Sequence, residues 1–136
     1  MIKQALVIGA LALGLAGCQS APDSQAQIEL QGNWHVESAM GKPVIDYSPA
    51  QLNFEADGNL TGNNSCNNFF GQYSINGDQV KLMPAGNTMK ACVEALMAQE
   101  QRVMQAMPEV TTAKMVQGKL ELNNAAGKTV LVLSRI

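Results

Sequence analysis

Few residues in this chain could do chemistry: three cysteines (Cys18, Cys66 and Cys92), a single histidine (His35), an oddly placed carboxylate (Glu100) and a cluster of asparagines. A thiol with His35 as its base would be the Cys–His pair of a nucleophilic enzyme. No spacing in the sequence sets His35 beside either Cys66 or Cys92. Glu100 sits among the apolar positions of a helical stripe, where an unpartnered carboxylate is too costly to keep. It must accept hydrogen bonds, line a small cavity as a ligand or proton site, or turn out to water. The richest supply of donors is Gly62-Asn63-Asn64-Ser65-Cys66-Asn67-Asn68, with its backbone N–H groups and four side-chain amides. We expect Glu100 to bond to the Cys66–Asn68 part of this polar knot and to fix it in place. Met97, Met104 and Met107 could offer soft ligands to copper, but methionine at core spacing is ordinary packing. No phosphate loop, zinc cluster or Ser-His-Asp set is present, so no cofactor, metal or catalytic residue is expected.

The knot lies inside Leu52–Leu82, a stretch of alternating apolar residues with Gly-containing turns at Asp57-Gly58 and Asn76-Gly77. The pattern gives strands at Leu52–Phe54, from Leu60, at Tyr73–Ile75 and at Val80–Leu82. The Asn76-Gly77 loop must contain an even number of residues, two or four. Only then do Tyr73 and Ile75 share a face with Val80 and Leu82. Upstream, Trp34 and Val36 alternate with His35 and Glu37, which puts the only Trp on the inner face of a first strand. Gly41-Lys42-Pro43 and Tyr47-Ser48-Pro49 read as turns or irregular chain. Val93–Met107 is the one clear helix, with Val93, Leu96, Met97, Val103, Met104 and Met107 on one stripe, Glu100 at its centre and Pro108 as its stop. Three strands close the chain: Thr111–Val116, Lys119–Leu122 and Lys128–Ser134. Val130–Leu133 lacks polar alternation, so both its faces should be covered, with the helix as the cover.

The chain's beginning speaks about location. Lys3 precedes an apolar run, Ala5–Leu15, too short to span a bilayer comfortably. Leu15-Ala16-Gly17-Cys18 then looks like a bacterial lipobox, which makes residues 1–17 a signal peptide and Cys18 the acylated N-terminus. Gln19 after Cys18, rather than Asp, favours the outer membrane in the sorting pattern of such lipoproteins. Residues 18–29 are small and polar and read as a tether, and residues 30–136 as one domain, which the length of 136 residues also suits. In the oxidising periplasm Cys66 and Cys92 are expected to form a disulfide. Unpaired structural thiols and a reactive thiol are the alternatives. A net charge of −2 without any basic block argues against nucleic acid.

Several separated motifs carry a family resemblance. They are Gly32-Asn33-Trp34, Leu52-Asn53-Phe54 with Asp57-Gly58, and Gly62 with Cys66-Asn67 and Phe69-Phe70-Gly71-Gln72-Tyr73. Thr88-Met89-Lys90-Ala91-Cys92, Glu100 and Gly118-Lys119-Leu120-Glu121-Leu122 complete the set. Together they resemble the META domain family of HslJ-like bacterial heat-shock lipoproteins, over about residues 30–135. Two positions depart from the family pattern: Ser65 where Gly is usual, and Asn68 where Arg is usual, which removes a charge from the knot.

The resemblance implies an α+β domain, a strongly curved, barrel-like antiparallel sheet of about seven to eight strands with one packed helix. It also implies a context of envelope and heat stress and tolerance of the antibiotic novobiocin. The resulting expectation is a non-enzymatic structural or protein-binding module, lipid-anchored through Cys18 on the periplasmic face of the outer membrane. Its partner would be an envelope protein. The alternative is a carrier or sensor of a small apolar ligand lodged between helix and sheet, in a gap lined by Leu131, Leu133, Met97 and Met104. Glu100, Asn67, Asn68 and Trp34 are the residues expected to shape a structural or ligand site. A hydrolase is disfavoured by the lack of a nucleophile–base pair.

Overall fold

The computed structural model describes Gly17 and residues 28–136; residues 1–16 and 18–27, on which the expected signal peptide, the acylated Cys18 and the expected tether fall, lie outside the described residues. The elements run β1 (Gly32–Ala39), β2 (Lys42–Pro43), β3 (Gln51–Phe54), β4 (Asn59–Asn63), β5 (Asn68–Asn76), β6 (Gln79–Asn87), α1 (Glu94–Glu109), β7 (Thr112–Val116), β8 (Lys119–Asn123) and β9 (Thr129–Arg135). Alternation dictates the strand faces. Trp34 and Val36 of β1 are fully buried while His35 and Glu37 are half-buried. A bulge between Val36 and Ser38, opposite β9, then shifts the phase by one residue. Ala39, not Ser38, is therefore the next residue inside.

All nine strands belong to one antiparallel sheet in the order β2-β1-β3-β4-β5-β6-β7-β8-β9, with β1 also pairing β9. The expected barrel-like sheet of seven to eight strands is corrected on two counts. There are nine strands among the described residues, because Lys42–Pro43, read as a turn, pairs back onto Ser38-Ala39 as β2. The sheet is curved but is not a barrel, because β6 and β7 share only the registered pair Gln79↔Thr112. Elsewhere the two strands have no common ladder, since they are joined through a helix rather than a hairpin turn. That helix packs against β6, β9 and β1.

At the β5–β6 hairpin Tyr73↔Leu82, Ile75↔Val80 and Asn76↔Gln79 are paired, which leaves a two-residue loop, Gly77-Asp78. Gly77 has φ +63°, the left-handed first position that a tight hairpin asks of glycine. Gly62 is fixed by close approach instead: a Cβ there would run into the backbone carbonyl of Gln51 on β3 and the ring of Phe69. The knot itself closes a hairpin, between β4 and β5. Asn63↔Asn68 is the last β4–β5 pair, so Asn64–Asn67 is the four-residue loop of a hairpin.

α1 also differs from the expected helix. It starts at Glu94 and carries Pro108 inside its last turn, ending at Glu109. Its buried residues are Gln99, Val103, Ala106 and Met107, while Val93 and Met97 are 61% and 44% exposed. At 100° per residue the buried face is turned roughly 75° from the expected stripe. Glu100 therefore lies on the flank of that face and is half-buried.

Leu131 and Leu133 are fully buried beside Val103 and Met107 in the continuous core. Cover on both faces of β9 holds for Val130 but not for Val132, which is half-exposed. Five clefts open among the described residues at other places, and Leu131, Leu133 and Met104 line none of these five. Beneath the helix, Val103, Ala106 and Met107 join Leu131 and Leu133 in one cluster of buried side chains, with Met104 packed against it.

Candidate functional site

Three segments meet at one end of the sheet, and the first is the hairpin loop Asn64–Asn67. The loop first builds itself. The backbone N–H of Asn64 donates to the Asn67 carbonyl (2.8 Å). The Asn64 side-chain oxygen accepts the N–H groups of Cys66 (3.2 Å) and Asn67 (2.8 Å). Asn63 does likewise for the Ser65 N–H (2.8 Å). These are the local side-chain-to-backbone bonds for which asparagine is suited.

The second segment, Thr88–Cys92, is laid along the loop by Asn67. Its side-chain oxygen accepts the Lys90 N–H (2.8 Å) and the Thr88 hydroxyl (2.9 Å), and its amide donates to the Lys90 carbonyl (3.2 Å). Cys66 and Cys92 are disulfide-bonded with Cα atoms 5.9 Å apart, as expected. Both sulfurs are bonded to each other, so neither is a free thiol for His35 to activate. Asn68 belongs to this second contact rather than to the loop's interior: its N–H donates to the Thr88 hydroxyl and its carbonyl accepts the Thr88 N–H.

The third segment is α1, which presents two adjacent side chains. Glu100 Oε1 accepts from the amides of Asn64 (3.0 Å), Asn67 (3.2 Å) and Asn87 (3.2 Å), and Oε2 accepts from Asn67 (3.3 Å). The bonds to Asn64 and Asn67 come from side chains of the knot, so the loop is fixed by its amides rather than by the backbone N–H groups of Cys66–Asn68. Gln99, fully buried, reaches further in. Its oxygen accepts the Ile45 N–H (3.0 Å), and its amide donates to the hydroxyls of Ser65 (2.9 Å) and Ser48. One buried amide thus ties the loop before β3, the knot and the helix together.

The sequence reading missed Gln99 and Asn87. Gln99 lies one turn before Val103 and two before Ala106, so a stripe that admitted a polar residue would have found it. Asn87, at the end of β6, carried no local signal. Trp34 does not join the site. Its indole N–H donates to the Leu30 carbonyl (2.8 Å), and the Arg135 guanidinium lies 4.2 Å over its ring.

A cleft of 270 Å³ opens beside the network, lined by Asn67, Asn87, Thr88, Met89, Lys90, Ala91, Met97 and Glu100. It lies far from the segment Ile28–Gln31 that precedes β1. Ile28–Gln31 border Tyr73 and Ile75 of β5, while the knot adjoins Asn68 at the strand's other end. Seven residue steps of strand separate Asn68 from Ile75, roughly 23 Å. Among the described residues no helix is long and apolar enough to cross a membrane, and no three His, Cys, Asp or Glu side chains gather as metal ligands.

The chain shares its fold with several solved structures. A protein from Burkholderia xenovorans matches with a TM-score of 0.61 and 19% identity, over 86% of this chain and 97% of that one. A DUF4847 family protein from Bacteroides vulgatus matches with a TM-score of 0.58 and 15% identity, over 78% and 93%. A further protein structure matches with a TM-score of 0.58 and 22% identity, over 76% and 88%. None of the curated proteins matches. The family model of the META domain matches residues 26–135, which span the whole sheet, the helix and the disulfide-bonded knot. The chain belongs to the META domain family.

Proposed function

We propose that the protein is an HslJ-like lipoprotein, acylated at Cys18 and held on the periplasmic face of the outer membrane. There it acts without catalysis, as a binding or structural module in envelope and heat stress, including tolerance of novobiocin. The observation that carries the reading is the placement of the Glu100 network. The molecule's most heavily cross-braced polar surface lies at the end remote from the tether junction, roughly 23 Å along β5. A membrane-anchored domain would hold that end toward the periplasm. The filled interior favours a partner met at the surface over a ligand carried within.

The test is a cell experiment on two variants. The Cys18→Ser chain should take up no labelled fatty acid and should leave the outer-membrane fraction. Deletion should lower survival under heat and novobiocin, with rescue by the wild type. An unacylated wild-type chain, or a deletion strain indistinguishable from its parent, overturns the reading.

A further inference from the structure

We propose that the cleft beside the knot binds an ammonium group carried on a short apolar chain, with Glu100 as its acceptor. This deepens the binding-module reading above and rests on it. The two oxygens of Glu100 are unequally used. Oε1 receives three amide donors, whereas Oε2 has one contact, a 3.3 Å share of an Asn67 amide already directed at Oε1. A carboxylate has about four acceptor positions over its two oxygens, so Oε2 retains capacity for a donor.

Its present donors are all neutral amides, which orient the carboxylate and leave its charge uncompensated. The ion pairs among the described residues are Lys114–Glu121 and Lys119–Glu37, and neither involves Glu100. Lys90 lines the same cleft, but its backbone is held at both N–H and carbonyl by Asn67 and its ammonium is not within 4 Å of Glu100.

The walls indicate the rest of the ligand. Met89 and Met97 line the cleft while remaining 94% and 44% exposed. Unbranched thioether side chains adapt to apolar bodies of varied shape. The polarity of the amides disfavours a bare metal ion, which would meet N–H donors and one carboxylate. An anionic ligand would be repelled. An ammonium brings its own three donors, and a bond between charged partners is shorter and stronger than one between neutral groups. The volume of 270 Å³ lies just below the ~300–1,000 Å³ of sites for drug-sized ligands, so the ligand is small or is the end of a larger one.

The test titrates the full chain in detergent with hexylammonium chloride, following side-chain amide and methionine methyl NMR signals, with hexanol as the uncharged comparison. Hexylammonium should shift Asn67, Asn87, Met89 and Met97 saturably and bind about two- to fivefold tighter than hexanol, the factor expected of one partly exposed charge contact. Glu100→Gln should abolish that preference. Should Glu100→Gln fail to fold, Met89→Lys, at a fully exposed position, places a competing ammonium in the cleft. It should weaken hexylammonium about two- to fivefold without changing the melting temperature. Absence of saturable shifts, or equal binding of amine and alcohol by the wild type, overturns the proposal. Those outcomes concern the cleft alone; failure of the anchored-module reading shows separately, in the fractionation and survival of the Cys18→Ser and deletion strains.

Discussion

Ser65 is the residue at which the backbone and the hydrogen-bond network make opposing demands, and substitution separates them. Its φ is +111°, in a region that L side chains rarely adopt, at a strain of about 1–3 kcal/mol. The Ser65 hydroxyl meanwhile accepts from the fully buried Gln99 amide at 2.9 Å. Ser65→Ala keeps the Cβ and its strain but removes the acceptor, which should cost about 1–2 kcal/mol. Ser65→Gly removes the same acceptor and also relieves the strain. Against this stand the lost bond and about 0.5–1 kcal/mol for the greater freedom of glycine in the unfolded chain.

The glycine variant should therefore stay within about 1 kcal/mol of the wild type, since these contributions oppose one another. For a domain of this size 1 kcal/mol corresponds to roughly 3–6 °C. Thermal unfolding of the disulfide-intact protein should thus show Ser65→Ala lowered by roughly 5–10 °C and Ser65→Gly by no more than a few degrees. Equal losses in the two variants, or a larger loss for Gly, would refute the reasoning. The family resemblance bears on the same point, since Gly is the usual residue there.

Other perturbations probe the rest of the framework. The Cys66–Cys92 disulfide spans 26 residues, and opening it should remove about 3–4 kcal/mol of stability in urea unfolding; a loss below about 1 kcal/mol would show that the hydrogen bonds alone hold the knot. Gln99→Leu leaves the Ile45 N–H and two serine hydroxyls without their buried partner. It should cost about 2–4 kcal/mol by chemical denaturation. Glu37 is held below its ordinary pKa of 4.5, first by the Ser134 hydroxyl and then by the Lys119 and His35 charges, against an opposing push from burial. A depressed carboxylate contributes stability above its unfolded pKa and loses it as pH falls through the folded one. Glu37→Gln should therefore flatten the fall in stability on acidification below about pH 4.5, and unfolding curves parallel to the wild type would contradict this.

Much of the sheet was legible because burial imposes alternation. Trp34/Val36, Leu52/Phe54, Tyr73 and Val80/Leu82 all point inward as their spacing indicates. The even hairpin loop followed from the same constraint. β2 was hidden because two residues carry no period, and Pro43 normally argues against a strand. The phase change at Ala39 depends on a bulge against β9, almost 100 residues away, and no local pattern announces it.

The site was half legible. Glu100 stood out because a charge interrupted apolar spacing. The rotation of α1 was missed because the stripe was drawn through apolar residues and Glu100 alone, which left the buried Gln99 out. Its three tertiary partners, at Ile45, Ser48 and Ser65, are what make its burial tolerable, and they come from segments 34–54 positions away. Asn87 likewise joins Glu100 only because β6 ends beside the knot.

The most direct measurement is of the side-chain NH₂ groups of Asn64, Asn67 and Asn87 by ¹H–¹⁵N NMR with hydrogen exchange, in the wild type and in Glu100→Gln. If one carboxylate gathers the loop, the end of β6 and the helix, all three should be protected in the wild type and should shift together on substitution. Three amides exchanging at solvent rates in the wild type, or responding to Glu100→Gln one without the others, would mean that the knot is held by its disulfide and backbone, with no organised carboxylate at its centre.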